Sequence, residues 1–227
     1  KNDLVKLTID NKGGYISEAT LKNYKKFEKN SGQLVELIKN NNANFNLELQ
    51  TKDNRVLNTK DLFFEPTLTK NGEDQILSMK LKAGANEFLE YKYVLKAKDY
   101  MLDFDVRSQG LNKVLNTSKT ADLQWDLKTY RNEKSIAYEN RYAEIYFEND
   151  DKVDYAGTGK QEDETLEKAT FIAYKQHFFT SILLSQTPIE NVKISSTDLV
   201  NDDKIDTVYT KQFKSTLPLA FKNGELD

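Results

Sequence analysis

The sequence predicts an all-β, antiparallel fold, and three observations point to it. Apolar and polar side chains alternate at period two along most of the chain. Asn, Asp and Gly turn signals recur between those runs. No helix-patterned segment sits between them at the spacing of a βαβ unit, which leaves an antiparallel sandwich or barrel.

The elements follow in order. Asn11-Lys12-Gly13-Gly14 is the first turn, and Asn30-Ser31-Gly32 the next. Phe45, Leu47 and Leu49 alternate with Asn46, Glu48 and Gln50, the pattern of a half-buried strand. Leu77, Met79, Leu81 and Ala83 follow across Asn71-Gly72. Tyr91, Tyr93 and Leu95 then alternate with Glu90, Lys92 and Lys96, although Val94 interrupts the polar face. A turn at Lys98-Asp99 leads to Tyr100, Leu102, Phe104 and Val106. Leu123, Trp125 and Leu127, then Ala143, Ile145 and Phe147, repeat the pattern, as do Ile205, Thr207, Tyr209 and Phe213. Helical signal is confined to Ser31–Asn40, long enough for two turns, and Glu162–Lys168, for one or two. The polar stretch Phe147–Lys168 reads as an excursion over the surface. It leads into Ala169–Ser185, the longest apolar run, expected to be a buried strand pair at the core. With three Pro and no linker-like composition, residues 1–227 are expected to form a single domain.

Composition excludes several functions. The 33 basic and 36 acidic residues give a net charge of −3, so no field draws the chain to nucleic acid. Only residues 55, 107, 131 and 141 are Arg, the side chain suited to bidentate phosphate contacts. Twelve Tyr and twelve Phe supply a core and argue against disorder. The absence of Cys removes disulfides, thiolate metal sites and Cys nucleophiles. No run reaches the roughly 18 apolar residues of a membrane span. The best candidate, Phe171–Leu184, is interrupted by Lys175, Gln176 and His177. The chain opens at Lys1 without Met and stops just after Lys222-Asn223-Gly224, so it is expected to be a segment of a longer polypeptide with flanking membrane segments.

No constellation carries a catalytic, cofactor or metal assignment. Asp150-Asp151 and Asp202-Asp203 offer oxygens for Ca²⁺ but lack the alternating spacing and Gly of an EF-hand loop, and read as solvated turns. The single histidine, His177, lacks a second imidazole for zinc and a Cys to activate, and no G-x-S-x-G elbow is present. Its neighbours suggest a structural, partly buried ring in a strand, bonded to backbone or hydroxyl. Carboxylate pairs of the glycosidase kind cannot be located among 36 acidic residues. Gly157-Thr158-Gly159 lacks the Lys-Ser/Thr of a phosphate loop and is a turn. Trp125, Tyr130 and Tyr142, with Tyr138 and Tyr146, are either core and cross-strand pairs or the lining of a groove for sugar or extended peptide.

Several pieces, in order, resemble the large periplasmic domain of the YidC (Oxa/Alb/YidC) membrane-protein insertases. Leu7–Leu21 with Asn23-Tyr24 resembles the family's opening hairpin, with Gly13 and Gly14 at its turn. Phe88–Val106 resembles paired strands joined by a basic-Asp-Tyr turn, here Lys98-Asp99-Tyr100. Glu133-Lys134, Arg141-Tyr142 and Ile145-Tyr146-Phe147 resemble the mid-domain segment. Within Phe171–Leu184, Tyr174-Lys175-Gln176-His177-Phe178-Phe179 is the most distinctive piece. The likeness runs from about Leu4 to Phe221. It implies a β-supersandwich, as in galactose mutarotase-like proteins, with one or two short helices. It further implies a non-catalytic domain without cofactor, on the periplasmic face of a Gram-negative inner membrane. The implied partners are Sec translocon components and nascent membrane proteins. The family's helices joining this domain to the membrane core fall beyond Asp227. Mutarotase chemistry wants a pair of histidines and a carboxylate, which one His cannot supply. The alternative function is a carbohydrate-binding or carbohydrate-modifying supersandwich.

Overall fold

The computed structural model describes residues 1–28, 31–149 and 152–226. In chain order the strands are β1 (Val5–Ile9), β2 (Ile16–Lys25), β3 (Leu34–Ile38), β4 (Ala43–Gln50), β5 (Val56–Asn58), β6 (Glu65–Asn71), β7 (Asp74–Lys82), β8 (Phe88–Leu95), β9 (Leu102–Gln109) and β10 (Ala121–Tyr130). Helix α1 (Ile136–Arg141) follows, then β11 (Glu144–Asn149), β12 (Lys152–Ala156), β13 (Gln161–Lys175), β14 (Thr180–Asp198) and β15 (Tyr209–Leu219). The class is the all-β, antiparallel supersandwich expected, with one short α-helix among the described residues. The chain divides into two compact units: Lys1–Asn23, Phe45–Leu123 and Leu219–Asp227 in one, Tyr24–Asn44 and Gln124–Pro218 in the other.

In the first unit, β6, β7, β8 and β9 form an antiparallel meander, and β1 pairs antiparallel with β2. Alternation buries Leu89, Tyr91, Tyr93 and Leu95 of β8. Tyr91 stacks on Phe64 with centroids 4.8 Å apart, and Tyr93 stacks on Phe104 at 4.8 Å. Both phenols are satisfied, as buried hydroxyls must be: Tyr91 donates to Thr59 Oγ1 at 3.0 Å and Tyr93 to the Gly14 carbonyl at 2.8 Å. The Gly13-Gly14 turn is held where a side chain does not fit. Gly14 has φ +67°, and a Cβ there would lie 3.0–3.2 Å from the Phe64 ring.

In the second unit, β12, β11, β13, β14, β15 and β10 lie side by side in that order. Its core includes Leu127, Ile145, Phe147, Leu166, Ile172, Tyr174, Val192 and Phe213. Each large apolar side chain so buried contributes about 1.5–3 kcal/mol. Tyr174 lies under Trp125, centroids 3.9 Å apart, and bonds the Trp125 carbonyl and Ser215 Oγ at 2.7 Å each.

Three expectations are corrected. Ser31–Asn40 contains β3 rather than a helix. Its apolar pairs Leu34-Val35 and Leu37-Ile38 fit a helical period, but a hairpin bond from Lys26 N to the Gln33 carbonyl (2.9 Å) sets an extended backbone. Left-handed Asn40 (φ 51°) and Asn41 (φ 58°) then end the strand. Glu162–Lys168 lies inside β13, because pairing with β14 satisfies its backbone from Gln161 onward. Ile205 and Thr207 precede β15 in a turn whose Asp206 carboxylate accepts from Asn201 N and Asp202 N at 2.9 and 3.0 Å. Ile205 is accordingly 76% exposed. The helix that does form, α1, starts at Ser135, whose side chain accepts from Tyr138 N at 3.2 Å. The turn residue Asn30 and the pair Asp150-Asp151 fall outside the described residues.

Candidate functional site

Around the turn of the β13–β14 hairpin, aromatic residues of α1 and its C-terminal end gather on the sequence's one histidine. The turn is closed by Gln176 N donating to the Phe179 carbonyl at 2.7 Å. Gln176 is buried, and its Nε2 donates to the Tyr130 carbonyl at 2.6 Å. Glu139 of α1 is buried beside it and accepts from Asn132 N (2.9 Å) and Glu133 N (3.1 Å). Burial pushes the Glu139 carboxyl up, against the pull of those two N–H groups.

On this anchored turn sits that histidine, half-buried as expected. His177 lies in the turn rather than in a strand, and its Nδ1 is 2.8 Å from Glu133 Oε1, a carboxylate rather than backbone or hydroxyl. Tyr142 stacks on the imidazole at 4.7 Å, Tyr138 meets it edge-on at 5.4 Å, and Phe178 lies 4.1 Å away. Phe178 itself is 70% exposed. Three rings thus pack around an imidazole that is paired with a carboxylate.

The register extends that surface along the sheet. Tyr155 of β12, Tyr146 of β11, Ala173 of β13 and Ile182 of β14 are cross-strand partners in one row. Tyr146 and Tyr155 stack at 5.5 Å, and Lys175 Nζ lies 5.1 Å over Tyr146 while pairing with Glu144 at 3.2 Å. One row further, Phe171 opposes Leu184, which is 61% exposed, and Val153 of β12 is 65% exposed. β12 ends this sheet, so among the described residues no strand lies beside its outer edge.

Ile182 and Leu184 point outward because the strand register shifts. Ala169 opposes Ile189, but Phe171 opposes Leu184: β13 advances two residues while β14 advances five. The three additional residues are an odd number, so β14 reverses its facing. Its even positions Val192, Ile194 and Ser196 are buried on one side of the irregularity; the even positions Ile182 and Leu184 are exposed on the other. The run Ala169–Ser185 is therefore only half core: Ala169, Ile172, Ala173 and Tyr174 are buried, and its later apolar residues are not.

The model of the YidC periplasmic domain matches residues 1–225. The chain belongs to that family. It is 35% identical over 224 residues to a membrane protein insertase YidC of Parabacteroides distasonis, covering 97% of this chain and 34% of the relative. It is 34% identical over 227 residues to the YidC of Porphyromonas gingivalis, covering 98% and 35%. With the YidC of Bacteroides fragilis the identity is 29% over 224 residues, covering 97% and 34%. The chain thus spans about a third of the length of the curated relatives it matches.

The residues by which the chain resembles YidC divide by role. Tyr174 and Gln176 hold the hairpin from beneath, whereas Lys175, His177 and Phe178 belong to its outer surface. Phe179 meets Tyr24 edge-on at 5.4 Å. Gly13 and Gly14 build the first unit's opening turn. The three candidate groove aromatics do not share one site. Trp125 covers Tyr174. Tyr130 packs at 4.8 Å on Tyr209 and donates to the Lys39 carbonyl at 3.1 Å. Its phenol is pushed up to about 12 by burial and by Tyr209. Only Tyr142, with Tyr138, joins the exposed cluster. Val153, Tyr155, Ile182 and Leu184 were not singled out from the sequence: the first two fall in the polar stretch Phe147–Lys168, and the last two in the continuous apolar run expected to be core. Asp202 and Asp203 are exposed, and no metal-holding group of three acidic or His side chains occurs among the described residues.

Proposed function

We propose that this chain is a non-catalytic module on the periplasmic face of an inner-membrane protein insertase in a Gram-negative bacterium. On this reading it holds apolar stretches of an emerging membrane protein, or of a translocon subunit, against the outer face of β11–β14. The observation that carries the reading is the set of exposed apolar residues Phe178, Ile182, Leu184, Tyr155 and Val153 on this face, with half-buried Tyr142 and Tyr146 stacked among them. Large apolar groups gathered on one sheet face lower their free energy when a partner removes them from water. The outer edge of β12 supports a second contact mode, addition of an extended segment to its backbone. Family membership and the names of the relatives supply the insertase context.

The test is site-specific photo-crosslinking in the full-length membrane protein. A photoreactive residue at Ile182, Leu184 or Tyr155 is expected to capture nascent membrane proteins or a translocon subunit. The same probe at Leu68, an exposed apolar residue of β6 in the other unit, is the comparison. Capture at Leu68 with none at the three β12–β14 positions would defeat the proposal.

A further inference from the structure

At the far end of the same hairpin lies an open trough of about 510 Å³ on the outer face of β13, β14 and β15. That is a size typical of small-molecule sites, which span about 300–1,000 Å³. The register arranges its floor as two rows: Thr165–Lys193–Thr216, and Asp163–Ser195–Lys214. All six side chains are polar, and all six line the trough.

Charge is segregated across it. Asp163 lies on β13, and Lys193 and Lys214 lie on β14 and β15. Lys193 and Lys214 are diagonal cross-strand neighbours, about 7–8 Å apart at the backbone, within reach of one shared anion for side chains this long. Neither ammonium has an ion-pair partner among the described residues. Among the described residues, Asp163 is engaged only at one carboxylate oxygen, by Gln161 Nε2 at 3.2 Å. The trough thus presents ammonium groups on β14 and β15, the Asp163 carboxylate on β13, and one hydroxyl on each strand at Thr165, Ser195 and Thr216.

We infer that this trough binds an anionic, polyhydroxylated small molecule, its negative group between Lys193 and Lys214 and its hydroxyls on Ser195, Thr165 and the Asp163 carboxylate. The charge pattern selects that chemistry. A bare anion leaves the second Asp163 oxygen without a donor, and a neutral sugar leaves the two ammonium groups without a counter-charge. This goes beyond protein contact and uses a different part of the sheet from the aromatic strip.

The experiment is a titration of the isotope-labelled chain followed by NMR. The probes are glucuronate, glucose 6-phosphate, glucose and inorganic phosphate, with sedimentation on phosphatidylglycerol and phosphatidylcholine vesicles as a second arm. Saturable shifts at β13–β15 with glucuronate or glucose 6-phosphate are expected, about tenfold or more tighter than with glucose or phosphate alone. Lys193→Gln with Lys214→Gln should weaken that binding by about tenfold or more, while Lys70→Gln, on exposed β6, leaves it unchanged. Retention on phosphatidylglycerol but not phosphatidylcholine vesicles, lost in the double variant, would support the same chemistry with a lipid headgroup as its source. The inference is overturned by no saturable response in either arm, by equal affinity for glucose or for phosphate alone, or by undiminished binding in the double variant. Because both lysines are exposed, the double variant is expected to keep the wild-type circular dichroism spectrum.

Discussion

The two ends of the β13–β14 hairpin present opposite chemistries from one pair of strands. Near the turn, the outer face offers Phe171, Ile182, Leu184 and the neighbouring Tyr146. Near the base it offers Thr165, Lys193, Ser195 and Asp163. The buried anchors differ too. Beneath the turn sits an acid, Glu139, held by Asn132 N and Glu133 N. At the base sits a lysine, Lys211, whose ammonium donates to the Gly157 carbonyl and whose neighbours include Asp198, Glu144 and Glu162. The difference teaches that the irregularity between Ala169 and Phe171 separates two surfaces rather than marking a defect. Without it, the outward positions of β14 would keep one parity throughout.

The largest expected effect comes from the buried side of that strand pair. Tyr174→Ala removes a ring stacked on Trp125 and its bonds to the Trp125 carbonyl and Ser215 Oγ. The expected loss is on the order of 3–5 kcal/mol, read from urea unfolding, because a fully buried aromatic leaves a cavity behind. Deleting Gln186, Thr187 and Pro188 instead leaves equal steps on both strands between the Ala169–Ile189 and Phe171–Leu184 pairs, so the outward facing of Ile182 and Leu184 is expected to persist. A Tyr174→Ala loss below about 1 kcal/mol would erase the distinction between buried and exposed faces.

A smaller effect separates the two anchors by pH. Burial raises the Glu139 carboxyl from 4.5, so above that value the folded chain holds a proton the unfolded chain has released. Stability should therefore fall as pH rises from 4.5 through the raised value, and Glu139→Gln should remove that fall. Lys211 has the opposite sign. Burial lowers it from 10.5, so the unfolded chain binds more protons between the lowered value and 10.5. Stability should rise with pH across that window, and Lys211→Met should abolish the rise. Each displacement of one pH unit corresponds to about 1.4 kcal/mol, readable from unfolding midpoints collected across pH.

The smallest expected effect lies on the exposed strip. Ile182→Ser with Leu184→Ser should change unfolding free energy by less than about 0.5 kcal/mol, because both side chains already face water. A loss of several kcal/mol would place them in the core and erase the distinction between the two faces.

Much of this was legible in the residues. Tyr91 and Tyr93 alternate with charged neighbours, and β8 buries both rings. The Gly13-Gly14 turn, the strands around Leu47 and Ile145, and the β13–β14 pairing followed from pattern and from the likeness to YidC. Other features were ambiguous for physical reasons. Leu34-Val35-Glu36-Leu37-Ile38 satisfies a helical and an extended period equally well. The short helix at Ile136–Arg141 carried only a Ser135 cap as its signal. The aromatic site was half visible: Tyr142, His177 and Phe178 were singled out, while Tyr155, Ile182 and Leu184 were not.

The sequence by itself determined the class of this protein, its strand-rich organisation, its family and its want of thiol chemistry. The class, organisation and lack of thiols rest on side-chain period, composition and local turn residues, which act over a few neighbours; the family rests on the ordered likeness of segments from Leu7–Leu21 to Phe171–Leu184. Tertiary structure alone decided which alternating side chains face water, and that Lys193, Lys214 and Asp163 share a trough. Facing depends on the cumulative count of residues between paired positions on two strands. An odd surplus of three reverses every side chain beyond it, and only the pairing of β13 with β14 fixes where that surplus falls.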